Sequence, residues 1–105
     1  MELVYSESFM KSLARLDPPV QSAVKIAMFD LQTNPRTPGF NLEKLQGNDC
    51  YSGRINDNLR LIMDMYDNRT MALYVDHHDD AYRWAANHSL QINKTTVAMQ
   101  FVDIE

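Results

Sequence analysis

The chain has 105 residues, the length of one small domain. Hydrophobic residues make up 45% and charged residues 23%, a composition that excludes a disordered tail. Lys and Arg number 10 against 14 Asp and Glu, and the net charge of −4 excludes a protein that reaches nucleic acid through bulk positive charge. The single cysteine, Cys50, cannot form an internal disulfide. We find no signal peptide and no apolar run of the ~18–20 residues that span a membrane. We therefore expect one cytoplasmic domain, residues 1–105.

The first third of the chain predicts a short strand and two helices. The strand is expected at residues 3–5, and Ser6 is a typical N-cap for the helix that follows. Asp17-Pro18-Pro19 ends that helix and begins a second, because Asp caps a helix and Pro is tolerated in its first turn. The second helix is expected to end at Asn34, before a proline. The apolar faces of the two helices contain Phe9, Leu13, Leu16, Val20, Val24, Ala27, Met28 and Leu31. Helices joined so tightly predict an antiparallel hairpin.

After a loop at 36–41 the apolar pattern changes to alternation, which is typical of strands. Strands are predicted at 51–55, 59–66 and 71–77, joined by three-residue turns at 56–58 and 67–69. Neighbouring strands are therefore antiparallel, and Leu59, Leu61, Met63 and Met65 are expected to face the helices. Asp79 or Asp80 is expected to cap a short third helix to about His88, and residues 96–104 predict an extra strand. The fold class is α+β, with a helical hairpin on one face of a small twisted antiparallel sheet.

The turn lengths predict which side chains meet on the other face of the sheet. Arg54 is expected opposite Arg60, and Arg60 opposite Asp76, with Ile62 and Tyr74 on the same face. Two arginines directly opposite each other repel, so they suit a site that binds an anion such as phosphate. The alternative is that Arg60 pairs with Asp76 or with Asp64 on a solvated face.

Residues 76–82 carry the densest chemistry, with two histidines and three aspartates. Histidine titrates near neutral pH and can act as acid or base, and Asp76 or Asp80 could orient its ring. Adjacent strand residues point to opposite faces, so His77 and His78 are expected in one cleft only if the strand has ended. The segment lacks a recognised metal-ligand spacing, and no glycine-rich phosphate loop is present. We expect neither a metal nor a cofactor.

The order of several short motifs resembles the RelE/ParE toxin superfamily over about residues 3–86. These motifs are Lys44-Leu45-Gln46-Gly47, Arg54-Ile55, Leu59-Arg60-Leu61-Ile62 and the segment from Tyr74 to Tyr82. The RelE-like region at the N-terminus of some UvrD-type helicases is more similar still. There Tyr-Val-Asp-His-His-Asp, here residues 74–79, is followed by Tyr-x-Trp-Ala, here residues 82–85.

The resemblance implies a toxin that enters the ribosome and cleaves mRNA by attack of a ribose 2′-hydroxyl on the adjacent phosphate. Arg54 and Arg60 match the family's strand arginines and would stabilise the phosphate. His77 matches the family's histidine, while His78 stands where many members have arginine. We expect His78 to be the general base or acid, and Tyr82 to be a stacking or proton-transfer partner. Lys44 and Asp76 are assigned to substrate binding.

The resemblance also implies partners, namely a cognate antitoxin, the ribosome and mRNA. Ribosome-acting members tend to be basic, whereas this chain is acidic, with Asp79 and Asp80 beside the histidines. Two alternatives therefore stay open, a gyrase inhibitor that acts by contact and a helicase-associated binding module. Individual residues have structural alternatives as well. Tyr82 and Trp84 fit helix packing, His77 fits the edge of the core, and Lys44 fits a solvated loop.

Overall fold

The computed structural model describes residues 2–34, 41–45, 50–66, 69–93 and 98–103. The described residues form three helices and seven strands. Parts of four expectations lie outside them: residues 36–40 of the predicted loop, Gln46 and Gly47 of the turn motif, residues 67–68 of the second hairpin, and residues 96, 97 and 104 of the predicted last strand. In the described part of the chain, none of the helices is both long and apolar enough to cross a bilayer.

Two N-terminal helices form where the capping residues predict them. β1 (Glu2–Tyr5) leads to α1 (Glu7–Ala14), whose N-cap Ser6 accepts a hydrogen bond from the Phe9 backbone N–H at 3.0 Å. α2 (Pro18–Thr33) begins after the N-cap Asp17 with prolines in its first turn. The helices bury their apolar faces against the sheet, in a core made of Phe9, Val24, Met28, Leu31, Leu59, Leu61, Met63, Ala72 and Val75.

The central sheet has five strands in the order β1-β5-β4-β3-β2. The four strands after β1 are β2 (Glu43–Lys44), β3 (Tyr51–Arg54), β4 (Leu59–Tyr66) and β5 (Arg69–His77). Consecutive strands from β2 to β5 pair antiparallel, as predicted for β3, β4 and β5, whereas β2 itself was not predicted. β1 pairs parallel with β5, so the sheet is mixed and not purely antiparallel as expected. The α+β class and the helical hairpin on one face are confirmed.

A β-bulge separates the two ends of the β4–β5 pair. Near the turn Tyr66 pairs with Arg69, so the predicted three-residue turn is wrong and two residues connect the strands. Beyond Ile62 the pairing shifts by one residue, because Leu73 is extra on β5. The bulge therefore restores the predicted register at the far end, where Arg60 lies opposite Asp76.

A third helix covers part of the other sheet face. α3 (His78–Ala86) has His77 as its N-cap, so the expected caps, Asp79 and Asp80, lie instead in its first turn. Its buried alanines pack in a second cluster that consists of Cys50, Ile62, Leu73, Tyr74, Ala81 and Ala85. The chain then continues into β6 (His88–Asn93) and β7 (Ala98–Asp103), a separate antiparallel pair. The predicted last strand is thus present as β7. Its partner, β6, was not predicted from the alternation of apolar residues.

Candidate active site

Two arginines face each other across the end of the β3–β4 hairpin. Arg54 pairs with Arg60, and Arg60 pairs on its other side with Asp76, which confirms the predicted register. The turn that sets this register is held by the Asn56 side chain, whose Oδ1 accepts from the backbone N–H groups of Asn58 and Leu59, both at 2.9 Å. Such a side-chain bond is typical of Asn in turns.

Each guanidinium is anchored on its own side of the turn. Arg60 Nη1 donates to the carbonyl oxygens of Asn56 at 2.7 Å and Leu59 at 2.9 Å. Arg54 Nη2 contacts the exposed carboxylate of Asp57. Among the described residues, neither arginine pairs with Asp76, so the ion pair that the register allows is not formed. Exposed pairs such as Arg54–Asp57 contribute only about 0–1 kcal/mol, so an incoming anion can displace Asp57.

The two arginines line an open pocket of about 200 Å³. The β2–β3 edge and the start of α3 form its other walls. Its lining residues are Asn41, Glu43, Ser52, Arg54, Arg60, His78 and Tyr82. Its lining holds two arginines and one carboxylate, and Asp57 contacts Arg54 from outside the lining, so the pocket gains a net positive charge when Asp57 is displaced. It can therefore accept a phosphate group.

α3 brings His78 and Tyr82 together because they are four residues apart on one helix face. Their rings meet edge to face, with centroids 4.5 Å apart and planes at 88°. The Tyr82 hydroxyl lies 3.3 Å from the hydroxyl of buried Ser52. His78 Nδ1 lies 2.9 Å from Asp79 Oδ1. An ionised carboxylate can only accept, so we infer that Nδ1 carries the proton and that Nε2 is available to receive one.

His77 lies outside this pocket. It lines a second depression of about 380 Å³ on the far side of His78, together with Asp57, Asn58, His78, Asp79, Asp80 and Arg83. Because β5 ends at His77 and α3 begins at His78, both histidines line this depression. Only His78 borders the arginine pocket as well. Three carboxylates face one guanidinium here, so the second depression is acidic.

The two residues assigned to substrate binding are not among the lining residues of either pocket. Lys44 is exposed and pairs with Tyr51, whose side chain packs on the helix side of the sheet. Asp76 has both carboxylate oxygens engaged, Oδ2 by the Tyr74 hydroxyl at 3.1 Å and Oδ1 by the His77 backbone N–H at 2.8 Å.

Sequence reasoning missed three residues of the arginine pocket: Asn41, Glu43 and Ser52. Glu43 precedes Lys44 on β2 and pairs with Ser52, so strand alternation turns it to the arginine side. Asn41 adopts a left-handed backbone conformation with φ of 48°, which Asn tolerates better than most residues. In the described part of the chain, no three His, Cys, Asp or Glu side chains are grouped so that they could hold a metal ion.

The sequence matches no family model and no curated protein. Solved structures do match the fold. YafQ from Escherichia coli has a TM-score of 0.66 and 16% identity, and the match covers 77% of this chain and 97% of that one. A chain of the toxin–antitoxin complex RelBE2 from Mycobacterium tuberculosis has a TM-score of 0.63 and 23% identity, and the match covers 73% of this chain and 96% of that one. The YoeB/ParE toxin from Agrobacterium tumefaciens has a TM-score of 0.61 and 19% identity, and the match covers 74% of this chain and 99% of that one. The fold is RelE-like. This fold confirms the architecture implied by the motifs, and the RelE-like chains align over nearly their whole length.

Proposed function

We propose that the chain is the toxin of a type II toxin–antitoxin system and a ribosome-dependent mRNA endonuclease. The observation that carries the proposal is the pocket in which Arg54 and Arg60 face each other beside His78 and Tyr82. Its position on a RelE-like fold supports the proposal, since the similar structures include toxins and toxin–antitoxin complexes.

The proposed reaction is an attack of a ribose 2′-oxygen on the adjacent phosphorus. The 2′-O–P bond forms and the P–O5′ bond breaks, which leaves a 2′,3′-cyclic phosphate and a 5′-hydroxyl. One group must take the 2′ proton and another must protonate the leaving 5′-oxygen. His78 and Glu43 both border the pocket, one on α3 and one on β2, and supply one such group each. Arg54 and Arg60 stabilise the negative charge that builds up on the phosphate oxygens.

Tyr82 completes the proposed site. Its ring supports the edge of His78, and its hydroxyl is held near Ser52. A phenol in this position can stack on a base or pass a proton, as the resemblance implies. Catalytic involvement of His77 and substrate binding by Lys44 and Asp76 stay predictions, with these side chains outside the arginine pocket.

We propose three partners for this activity: a cognate antitoxin, the ribosome and its bound mRNA. Two of the similar structures, RelBE2 and the Escherichia coli DinJ–YafQ complex, are toxin–antitoxin complexes, which supports the first partner. The cytoplasm is the proposed location, because the proposed substrate is mRNA.

A second candidate function is a RelE-like module that binds protein without catalysis, as a helicase-associated domain or a gyrase inhibitor. The observation that favours it is the acidic depression next to His78, on a chain of net charge −4. Like-signed surfaces slow association with the ribosome and weaken it. A protein partner with a basic surface would meet no such barrier.

Induction in a bacterial host, followed by mapping of mRNA 5′ ends, tests the two candidates against each other. We compare the intact chain with the Arg60→Ala, His78→Ala double variant and with Arg69→Ala. Arg69 is a matched control because it is exposed at the other end of β5. Growth arrest with new 5′ ends that only the double variant loses supports the nuclease. Growth arrest without new 5′ ends supports a contact inhibitor. The absence of both growth arrest and new 5′ ends supports the binding module.

A further inference from the structure

The carboxylate nearest in register to Arg60 is held away from it. Asp76 lies directly opposite Arg60 in the β4–β5 pair. Side chains in such positions have Cβ atoms about 4.5–5.5 Å apart, well within reach of an Arg–Asp ion pair. Yet Asp76 accepts from the Tyr74 hydroxyl and the His77 N–H, while Arg60 Nη1 donates to backbone carbonyls. Asp76 and Arg60 are thus opposite each other in the strand pair but form no ion pair with each other.

The Tyr74 side chain is fixed by its surroundings. It is only 8% exposed, and its ring stacks flat on Trp84, with centroids 4.5 Å apart and planes at 3°. A buried phenol needs a hydrogen-bond partner, and here the partner is Asp76 Oδ2 at 3.1 Å. Burial, followed by the hydrogen bond to Asp76, raises the pKa of Tyr74 above its usual value. The phenol therefore stays a donor throughout the neutral pH range.

We propose that Tyr74 is a positioning residue that holds the Asp76 carboxylate off Arg60 and so keeps this guanidinium available for a phosphate group. The inference rests on the proposed function, since it assumes that the arginine pocket receives a phosphate. On this inference Asp76 acts through its orientation, which replaces the earlier prediction that it binds substrate directly.

Removal of the phenol hydroxyl frees one oxygen of Asp76. That oxygen has lost its donor, and Arg60 lies directly opposite Asp76 across the strand pair. A pair formed there occupies guanidinium N–H groups that a phosphate would otherwise use. Phosphate binding should then weaken by the strength of a partly exposed ion pair, about two- to fivefold.

Titration of the folded chain with inorganic phosphate tests this inference through the Arg60 Nε–Hε resonance in the NMR spectrum. We compare the wild-type chain with Tyr74→Phe, Asp76→Asn and the double variant at one pH and ionic strength. Tyr5→Phe is the matched control, because it removes an exposed phenol on β1, at the edge of the sheet. Backbone amide spectra confirm that each variant is folded.

We expect Tyr74→Phe to weaken phosphate binding about two- to fivefold, with Tyr5→Phe unchanged. Adding Asp76→Asn to Tyr74→Phe should restore wild-type affinity or exceed it, an effect that a merely structural role of Tyr74 would not produce. Wild-type affinity in Tyr74→Phe, no rescue by Asp76→Asn, or no phosphate response at Arg60 in the wild-type chain would each overturn the inference. RNA cleavage is not part of this titration. A chain that shows the expected pattern but cuts no mRNA would overturn the proposed nuclease and leave the role of Tyr74 intact.

Discussion

At the scale of single residues, His77 and His78 show how a change of backbone conformation separates two identical side chains. His77 is the last residue of β5 and His78 is the first of α3. The His78 backbone N–H donates to the Asn58 carbonyl at 2.7 Å, which ties the start of the helix to the arginine turn. His78 is thereby brought to the pocket that holds both arginines, while His77 borders only the acidic depression.

Substitution of the two histidines by alanine should therefore have unequal effects. We expect His78→Ala to lower the single-turnover rate of mRNA cleavage by about 100-fold or more, the usual contribution of a general acid or base. His77→Ala should lower this cleavage rate several-fold at most, because the His77 ring lies outside the arginine pocket. The measurement is a quench-flow assay on ribosome-bound message with each purified variant. Equal losses would show that the residue matched by the family resemblance, His77, takes part in the chemistry.

At the scale of elements, the bulged part of β5 is hydrogen-bonded by two serine hydroxyls, one from the N-cap of α1 and one from α1 itself. The Ser6 hydroxyl donates to the carbonyl of the extra residue, Leu73, at 3.2 Å. Buried Ser12 accepts from the Val75 backbone N–H at 3.0 Å and donates to the Phe9 carbonyl at 2.8 Å. A bulge leaves ladder groups without strand partners, and here serines of the N-terminal helical region satisfy two of them.

Ser12→Ala should thus destabilise the fold by about 1–3 kcal/mol, because the buried Val75 N–H loses its acceptor. Urea unfolding followed by circular dichroism measures the difference. Ser22→Ala on α2 is the control. That hydroxyl is exposed and bonds only a carbonyl in its own helix, so the expected change is within about 0.5 kcal/mol. A similar loss of stability in both variants would mean that the Ser12–Val75 bond contributes little.

Local signals account for the elements that sequence reasoning predicted. β4 has the predicted bounds because apolar residues stand at every second position from Leu59 to Met65, and α2 begins and ends at its proline signals. The bulge carries no local signal in the sequence, and the serines that bond its backbone groups lie more than 60 positions away. It also turns Leu73 to the α3 side, whereas unbroken alternation along β5 would put this residue on the same face as Val75.

The candidate site was predictable to the same extent. The register of Arg54 and Arg60 follows from turn chemistry and strand period. The pairing of Arg60 with Asp76 was predicted correctly only because the bulge offsets the shorter β4–β5 turn. Glu43 was missed because β2 has two residues, too few for alternation to be seen. The orientation of Asp76 away from Arg60 depends on Tyr74, whose position is set by stacking on a helix that comes later in the chain.

At the scale of the whole molecule, the charge distribution limits how the site can bind RNA. The net charge is −4, yet the pocket holds two arginines and one carboxylate. Long-range attraction to a polyanion is therefore absent, and binding has to come from contacts within the pocket. Such a protein should be less sensitive to salt than basic proteins that bind RNA through many phosphates.

The affinity for a single-stranded RNA with 2′-O-methyl riboses, which cannot be cut, should show this weak dependence. With one phosphate held between the two arginines, log K against log salt should have a slope of about −0.7, and the Arg54→Ala, Arg60→Ala double variant should bring it close to zero. Fluorescence anisotropy between about 50 and 200 mM KCl, the range over which basic binders lose most affinity, gives both slopes. A slope steeper than about −3 would require phosphate contacts beyond the arginine pair.

The stack of Trp84 on Tyr74 has a practical consequence. Trp84 is the only tryptophan of the chain, and its ring lies against the phenol that bonds Asp76. Intrinsic tryptophan emission therefore comes from one position. From there one contact leads to Tyr74 and a second leads to Asp76, the carboxylate opposite Arg60. The protein carries its own optical reporter of events at this site, and ligand binding can be followed on the unlabelled, unmodified chain.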